Sequence, residues 1–173
     1  MATAMAQIMK YHSYPSTGQG YKGYAIDGKN GNYDFENTTY RYDRMLDVYS
    51  GNNYTEEQAD AVAKLMLHCG VAVDMTYGLR GSGSYSNDAT LALSEYFKYD
   101  SRLYSRDIYT KAEWMDIIFD EISNGRPILY GGVTAQNAGH AFVFDGYDAE
   151  GLVHVNWGWS GSGNGYFEVA LLN

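Results

Sequence analysis

The chain has 173 residues, 45% of them hydrophobic, so it is long enough to form one domain with a sizeable core. Its net charge of −9 comes from acidic residues spread along the sequence; because such a surface repels phosphate backbones, no nucleic-acid partner is expected. A single cysteine excludes an internal disulfide and a multi-cysteine metal site, and no apolar run is long enough to span a membrane.

The segment Ala2 to Tyr11 predicts a helix. Ala4, Ile8 and Tyr11 recur at helical spacing and form an apolar stripe. No capping residue precedes this stripe, so we expect the helix to begin upstream of Met1.

The next part of the chain carries weaker signals. From Ser13 to about Asn37 the sequence is rich in Gly, Tyr, Ser and Asn, which predicts long loops with room for one short strand. Tyr42 to Val48 fits a short helix.

A clearer helix begins after Thr55, which forms a capping box with Gln58. Gly70 is expected to end this helix. The apolar residues that share one helix face are Val62, Met66 and Cys69. Since a free cysteine on an apolar face is usually buried, Cys69 is interpreted as a core residue rather than a nucleophile.

Two more helices follow a polar loop at Gly78 to Ser86. The first covers about Asn87 to Phe97, and the second begins at a capping box of Thr110 and Glu113 and ends before Pro127. The expected buried side of the first is formed by Leu91, Ala92, Leu93 and Tyr96.

Beyond Pro127 the apolar residues alternate with a period of two, which is typical of strands. The four strand-like segments are Ile128–Gly131, His140–Tyr147, Leu152–Trp157 and Tyr166–Leu171. Because helices come first and antiparallel strands last, the sequence predicts an α+β fold, a helical lobe followed by a β-sheet lobe. Residues 1–173 are interpreted as a single domain.

Two separated motifs resemble one enzyme family. The opening MATAMAQIMKYH is similar to the segment that follows the nucleophilic cysteine in the streptopain family of papain-like cysteine peptidases. The stretch GGVTAQNAGHAFVFDGY, followed by HVNWGWSGSGNGYF, resembles the histidine strand and the Asn-Trp-Gly-Trp turn of that family. The resemblance covers nearly the whole chain and implies a papain-like fold.

The resemblance assigns the catalytic base to His140, with Asn156 and Trp157 beside it. A papain-type site needs an imidazole next to a thiolate and a third group that orients the ring. The Asn156 oxygen is expected to accept from the imidazole N–H while Trp157 or Trp159 shields that bond. The alternatives are a solvent-facing histidine, a turn residue at Asn156 and core packing of Trp157.

The resemblance also implies where the nucleophile lies. The family has one residue between the cysteine and the Ala-Thr-Ala run, and here that residue is Met1. The cysteine is therefore expected just before Met1, and the oxyanion-hole glutamine and the prosegment further upstream. We expect the 173 residues to be incomplete at both ends and inactive on their own.

Other residues resemble parts of the family's substrate cleft. Ser82, Gly83 and Ser84 resemble a loop on the non-primed side, and Gly139 and Trp159 are placed with them as substrate-binding residues, Trp159 on the primed side. A solvated loop and plain core packing are the alternatives. The remaining His12, His68 and His154 show no metal-ligand spacing; His68 and His154 are expected to face away from the core. Asp145 is interpreted as a turn or structural residue.

The implied function is that of a bacterial endopeptidase. The family is secreted or located at the cell surface or in the periplasm, cleaves proteins in virulence, and is made as a zymogen inhibited by its own prosegment. No cofactor or metal is expected. Two alternatives stay open: a non-catalytic binding or adhesion module on the peptidase scaffold, and a Cys–His amidase that acts on cell-wall peptides.

Overall fold

The computed structural model describes residues 1–79, 81–134 and 138–171. The chain divides into two compact units, Met1–Arg102 and Leu103–Asn173. Within the described residues, no helix has the length and apolar character needed to cross a membrane.

The first unit contains three helices, a hairpin and a short 3₁₀ turn. Its elements are α1 (Ala2–His12), β1 (Tyr21–Ile26), β2 (Lys29–Asp34), the 3₁₀ turn Tyr42–Arg44, α2 (Glu56–Ala72) and α3 (Ser86–Phe97). Its buried centre is formed mainly by Met5, Met9, Phe35, Leu65, Cys69, Val71 and Phe97. The α1 prediction is confirmed, although Tyr11 is 64% exposed and lies outside the buried stripe.

The β1–β2 hairpin lies where the sequence predicted loops with one short strand. Ile26 pairs with Lys29, which leaves Asp27 and Gly28 as a two-residue turn. Both turn residues have positive φ, 50° and 73°. A type I′ turn requires such angles at both positions, and Asp-Gly is one of its preferred pairs.

Helix α2 begins at the predicted capping box: the Thr55 hydroxyl accepts from the Gln58 N–H, and the Gln58 side chain accepts from the Thr55 N–H. The helix continues past Gly70 to Ala72, so the expected stop at Gly70 was wrong. A Cβ atom at Gly70 would collide with the Tyr77 hydroxyl. This glycine therefore provides close contact rather than a helix end.

The buried face of α2 is rotated from the predicted one. Leu65, His68 and Cys69 are buried, whereas Val62 and Met66 are only half-buried. The expectation that His68 faces away from the core was wrong, because the Tyr40 hydroxyl lies 2.9 Å from its Nδ1 and tethers the ring inside. Likewise in α3 the buried residues include Ala89 and Phe97, while Leu91 is 58% exposed, contrary to prediction.

The second unit contains one helix and one sheet. Its elements are the 3₁₀ turn Arg106–Ile108, α4 (Lys111–Ser123), β3 (Ile128–Val133), β4 (Gly139–Tyr147), β5 (Val153–Asn156), β6 (Gly165–Phe167) and the 3₁₀ turn Val169–Leu171. The capping box of Thr110 and Glu113 is confirmed. The last predicted strand was too long, since Val169–Leu171 turns into a 3₁₀ helix.

The four strands form one antiparallel sheet in the order β3-β4-β5-β6. The core of this unit packs α4 against one face of the sheet and consists of Trp114, Ile118, Tyr130, Phe142, Phe144, Val153, Val155 and Val169. Since strand side chains alternate between faces, this core determines which face each remaining strand residue takes.

Candidate active site

His140 lies near the start of β4, where it pairs with Gly132 of β3. The ring is half-buried, and its Nε2 lies 2.8 Å from the main-chain carbonyl oxygen of Trp157. Because a carbonyl only accepts, Nε2 must carry the proton and donate it. In the neutral ring, Nδ1 is then the basic nitrogen, free to take a proton from another group.

Aromatic rings surround the His140 imidazole. The Trp159 ring centroid lies 4.8 Å from it at an interplanar angle of 34°, and the Trp157 ring lies 6.3 Å away at 28°. Trp157 and Trp159 stack on each other at 5.6 Å and 17°. These rings cover the imidazole and so limit its contact with water.

A tight turn after β5 holds the Trp157 carbonyl in place. The Trp157 N–H donates to Asn164 Oδ1 at 3.0 Å, and its indole Nε1–H donates to the Gly163 carbonyl at 2.9 Å. The next N–H, that of Gly158, donates to Asn156 Oδ1 at 3.0 Å. Asn164 was missed in the sequence, where it looks like any asparagine of a Gly-rich turn.

The acceptor on Nε2 therefore differs from the expected one. His140 and Phe142 are two residues apart on β4 and share the core-facing side, as does Val155 on β5. Asn156 follows Val155 and lies on the opposite face, so its side chain closes the turn at Gly158. The main chain of Trp157, just beyond the strand, comes back under the ring.

Residues 1–167 match the model of the Peptidase C10 family. The chain belongs to this family. Streptopain from Streptococcus pyogenes is 36% identical over 183 residues, and the match covers 100% of this chain and 46% of streptopain. The thiol protease/hemagglutinin PrtT of Porphyromonas gingivalis is 35% identical over 178 residues, covering 100% of this chain and 20% of PrtT. The chain thus spans about half the length of streptopain and 20% of the length of PrtT.

Solved structures of interpain A share the fold. The active wild-type interpain A cysteine protease of Prevotella intermedia aligns with a TM-score of 0.91 and 47% identity, covering 97% of this chain and 73% of that one. A cysteine-to-alanine mutant fragment of prointerpain A aligns with a TM-score of 0.91 and 48% identity, covering 98% and 55%. The resemblance to the streptopain family and the α+β papain-like fold are confirmed.

The predicted site residues of the second unit lie together, while the predicted substrate loop belongs to the first unit. Gly139, His140, Asn156, Trp157 and Trp159 all lie at the β4 start and the turn after β5. Trp159 is 55% exposed.

In the first unit, Ser82, Gly83 and Ser84 form the end of a loop. Thr76 and Gly83 exchange two backbone hydrogen bonds of 2.9 and 3.1 Å, which anchor the loop at its base. Ser82 and Gly83 are exposed. The Ser84 hydroxyl is buried without a hydrogen-bond partner in the described part of the chain.

Cys69 has the environment of a core residue. It is fully buried on α2, and its thiol lies 3.7 Å from the Met9 sulfur of α1. Burial raises the pKa of the thiol. A thiol that stays protonated is a poor nucleophile, so the interpretation as a core residue agrees with its surroundings.

A histidine–carboxylate pair occurs elsewhere in the same sheet, between Asp145 and His154. Asp145 Oδ1 and His154 Nδ1 are 2.5 Å apart across the β4–β5 pair, beside an irregularity of the ladder between Phe144 and Gly146. Both residues thus tie two strands together, which agrees with the structural role expected for Asp145. Within residues 1–79, 81–134 and 138–171, no cluster of three or more potential metal ligands occurs.

Proposed function

We propose that the chain is the greater part of the catalytic domain of a cysteine endopeptidase that cleaves proteins through a Cys–His acyl-enzyme. The observation that carries this proposal is the hydrogen bond from His140 Nε2 to the Trp157 carbonyl. It leaves Nδ1 as the proton acceptor, which is the state a base needs before it activates a thiol. Family membership and the relatives named as proteases, PrtT and interpain A, support the same reading.

The nucleophile is assigned to a cysteine directly before Met1 in the parent protein. Its thiol proton passes to His140 Nδ1, and the thiolate attacks the scissile carbonyl carbon. The imidazolium then returns the proton to the leaving amine, which departs and leaves a thioester. Water, deprotonated by His140, attacks the thioester and releases the acid and the free thiol. The 173 residues alone are then inactive.

The other site residues position this pair and the substrate. Asn156 and Asn164 hold the turn that presents the Trp157 carbonyl, and a carbonyl dipole stabilises the imidazolium at each step. Trp159 lines the primed side beside the ring. Gly139, Ser82 and Gly83 contact the substrate backbone, because glycine allows close approach and a hydroxyl donates or accepts. Ser84 flanks them in the loop with its hydroxyl buried.

The parent protein is further proposed to be a secreted, cell-surface or periplasmic bacterial zymogen that acts in virulence. Its prosegment blocks the cleft until it is removed. Support comes from the relatives alone: one solved structure is of a pro-form, prointerpain A, and one relative is named as a hemagglutinin as well as a protease.

The test uses the parent protein, including the residues before Met1, with casein and a peptidyl fluorogenic amide as substrates. His140→Ala should lower kcat/KM by about 10²–10⁴-fold, the usual contribution of a general base. The matched control, His12→Ala, replaces a solvent-exposed histidine and should change it little.

Three outcomes would contradict the proposal. Activity that survives His140→Ala would remove the base. A Ser, Ala or Gly before Met1, with protein binding but no cleavage, would indicate a binding or adhesion module. Turnover of cell-wall muropeptides in place of protein substrates would indicate an amidase.

A further inference from the structure

Strand β3 is the outer strand of the second unit's sheet and runs beside His140. Among the described strands it pairs with β4 alone, and Gly132 is the register partner of His140. Its last three residues face water: Gly131 and Val133 are exposed, Val133 by 65%, and Gly132 is half-buried. The residue before them, Tyr130, is buried in the core. The open part of the strand is therefore residues 131–133, called the outer edge below.

The hydrogen-bond pattern shows which groups this outer edge presents. The Thr134 N–H donates to the Ala138 carbonyl at 3.0 Å and closes the β3–β4 pair. Bonded and non-bonded pairs alternate along an antiparallel ladder, and this ladder has no register shift. Gly132 therefore directs its backbone groups toward β4. The N–H and C=O of Gly131 and Val133 point away from the sheet.

Nothing on the outer edge opposes a further strand. Proteins usually protect such edges with lysine, proline, inward charges or a bulge, because unpaired backbone groups bind other strands. Gly131, Gly132 and Val133 carry no charge and no ring on the backbone nitrogen, and the two glycines allow close approach of another main chain. The edge is suited to strand addition.

We propose that the outer edge binds the part of a peptide substrate that follows the scissile bond, as an added antiparallel strand. This inference rests on the proposed function. His140 delivers its proton to the leaving amine, so the leaving segment starts beside the end of β3 that pairs with Gly139 and His140. From Val133 it runs back past Gly132 to Gly131, opposite to the direction of β3, so the two strands are antiparallel. Three residues at about 3.4 Å each give a platform of about 10 Å.

The first test varies the length of the leaving segment. The parent protein is given peptides with zero to five residues after the scissile bond, the zero member being a fluorogenic amide. Each hydrogen bond to the edge contributes a modest net amount, so kcat/KM should rise about tenfold up to the third residue and then level off. Rates that ignore the length, or that rise steadily to the fifth residue, would overturn the inference.

The second test removes single hydrogen bonds from the substrate. N-methylation of the second, third or fourth amide after the scissile bond should lower kcat/KM by about threefold to tenfold at alternate positions only. Alternation is expected because only every second residue of an added strand faces β3. An equal loss at all three amides, or no loss, would contradict strand pairing. This test uses the unaltered protein and does not depend on whether a variant folds.

The third test changes β3 itself. Gly131→Pro and Val133→Pro each remove an outward N–H without breaking a bond to β4, a placement that edge strands tolerate. Both should lose part of the length dependence and keep their rate on the zero-length amide. The control is Gly23→Ala, a strand glycine of the first unit with open space around its Cβ position, which should behave like the unaltered protein.

The zero-length amide separates the two proposals. Failure of the parent protein to hydrolyse it, or hydrolysis unaffected by His140→Ala, sinks the proposed function and this inference with it. If it is hydrolysed through His140 while the leaving segment has no effect, the outer edge alone is refuted.

Discussion

His68 makes the stability of the first unit depend on pH. Its ring lies among the rings of Tyr33, Phe35 and Tyr40, with the Phe35 centroid 4.7 Å away and the Tyr40 hydroxyl on Nδ1. Burial, reinforced by the charge of Lys64, lowers the pKa of His68 from 6.5 to about 4. His68 is therefore neutral in the folded chain at neutral pH.

The sign follows from proton binding in the two states. Between pH 6.5 and about 4 the unfolded chain binds the His68 proton more readily than the folded chain. The free energy of unfolding therefore decreases as the pH is lowered through this window. The stability is complete above pH 6.5, decreases through this window and stays low below about pH 4. One pH unit corresponds to about 1.4 kcal/mol, so the loss amounts to about 3 kcal/mol.

The perturbation is His68→Gln, which removes the titrating group and keeps an amide for the Tyr40 hydroxyl. Between pH 7 and pH 4 the unfolding free energy of this variant should fall by about 3 kcal/mol less than that of the unaltered chain. Urea unfolding is followed by circular dichroism at 222 nm, because all three tryptophans lie in the second unit and their fluorescence would report there.

Tyr40→Phe is the matched control. It leaves Nδ1 buried without its partner and should cost about 1–3 kcal/mol at neutral pH while keeping the pH dependence, since burial is the main cause of the low pKa. Equal pH dependence of His68→Gln and the unaltered chain would refute the reasoning.

Three further predictions concern packing and the site. Cys69 should react with iodoacetamide far more slowly in the folded 173-residue chain than in urea, because it is fully buried; similar rates would contradict this. Gly18→Ala should lower stability by about 1–3 kcal/mol, since its Cβ would lie 2.7 Å from the Tyr96 carbonyl oxygen, whereas Gly23→Ala, with open space around it, should change the Tm little. Asn156→Ala in the parent protein should lower kcat while changing Tm little, because the Asn156 side chain shapes the turn that presents the acceptor to His140. An unchanged kcat and an unchanged pH–rate profile would count against this role of Asn156.

Local signals in the sequence were sufficient for most of the helices. Both capping boxes, at Thr55 and Thr110, mark helix starts in the structure, because they satisfy backbone N–H groups within four residues of chain. The alternation after Pro127 likewise predicted the strands, since one face of this sheet is covered by α4.

Features set by distant contacts were not predictable in the same way. The hairpin strands alternate weakly, and only the Asp27-Gly28 turn marks them. Gly70 resembles a helix end, but its missing side chain accommodates Tyr77 from outside the helix. In the sequence His68 looks polar and exposed. In the structure a hydrogen bond with Tyr40, 28 residues away, holds its ring in the core.

The site was predictable where it depends on residue type. The motif identified His140, Trp157 and Trp159, whose rings lie together. The acceptor on Nε2 is a main-chain oxygen, which cannot be identified from the type of any residue. Strand alternation from Val155 would have placed the Asn156 side chain on the other face, and that signal was present in the sequence.

A main-chain acceptor also changes what mutation can do to the site. No replacement of the Trp157 side chain deletes its carbonyl, so the hydrogen bond on His140 Nε2 keeps its acceptor whatever side chain stands at position 157. Substitutions are instead restricted at residues that shape the turn, such as Gly158, with a φ of 74°, and Asn164. A search for lost activity among natural variants should therefore look first at the turn and only then at the residues that touch the ring.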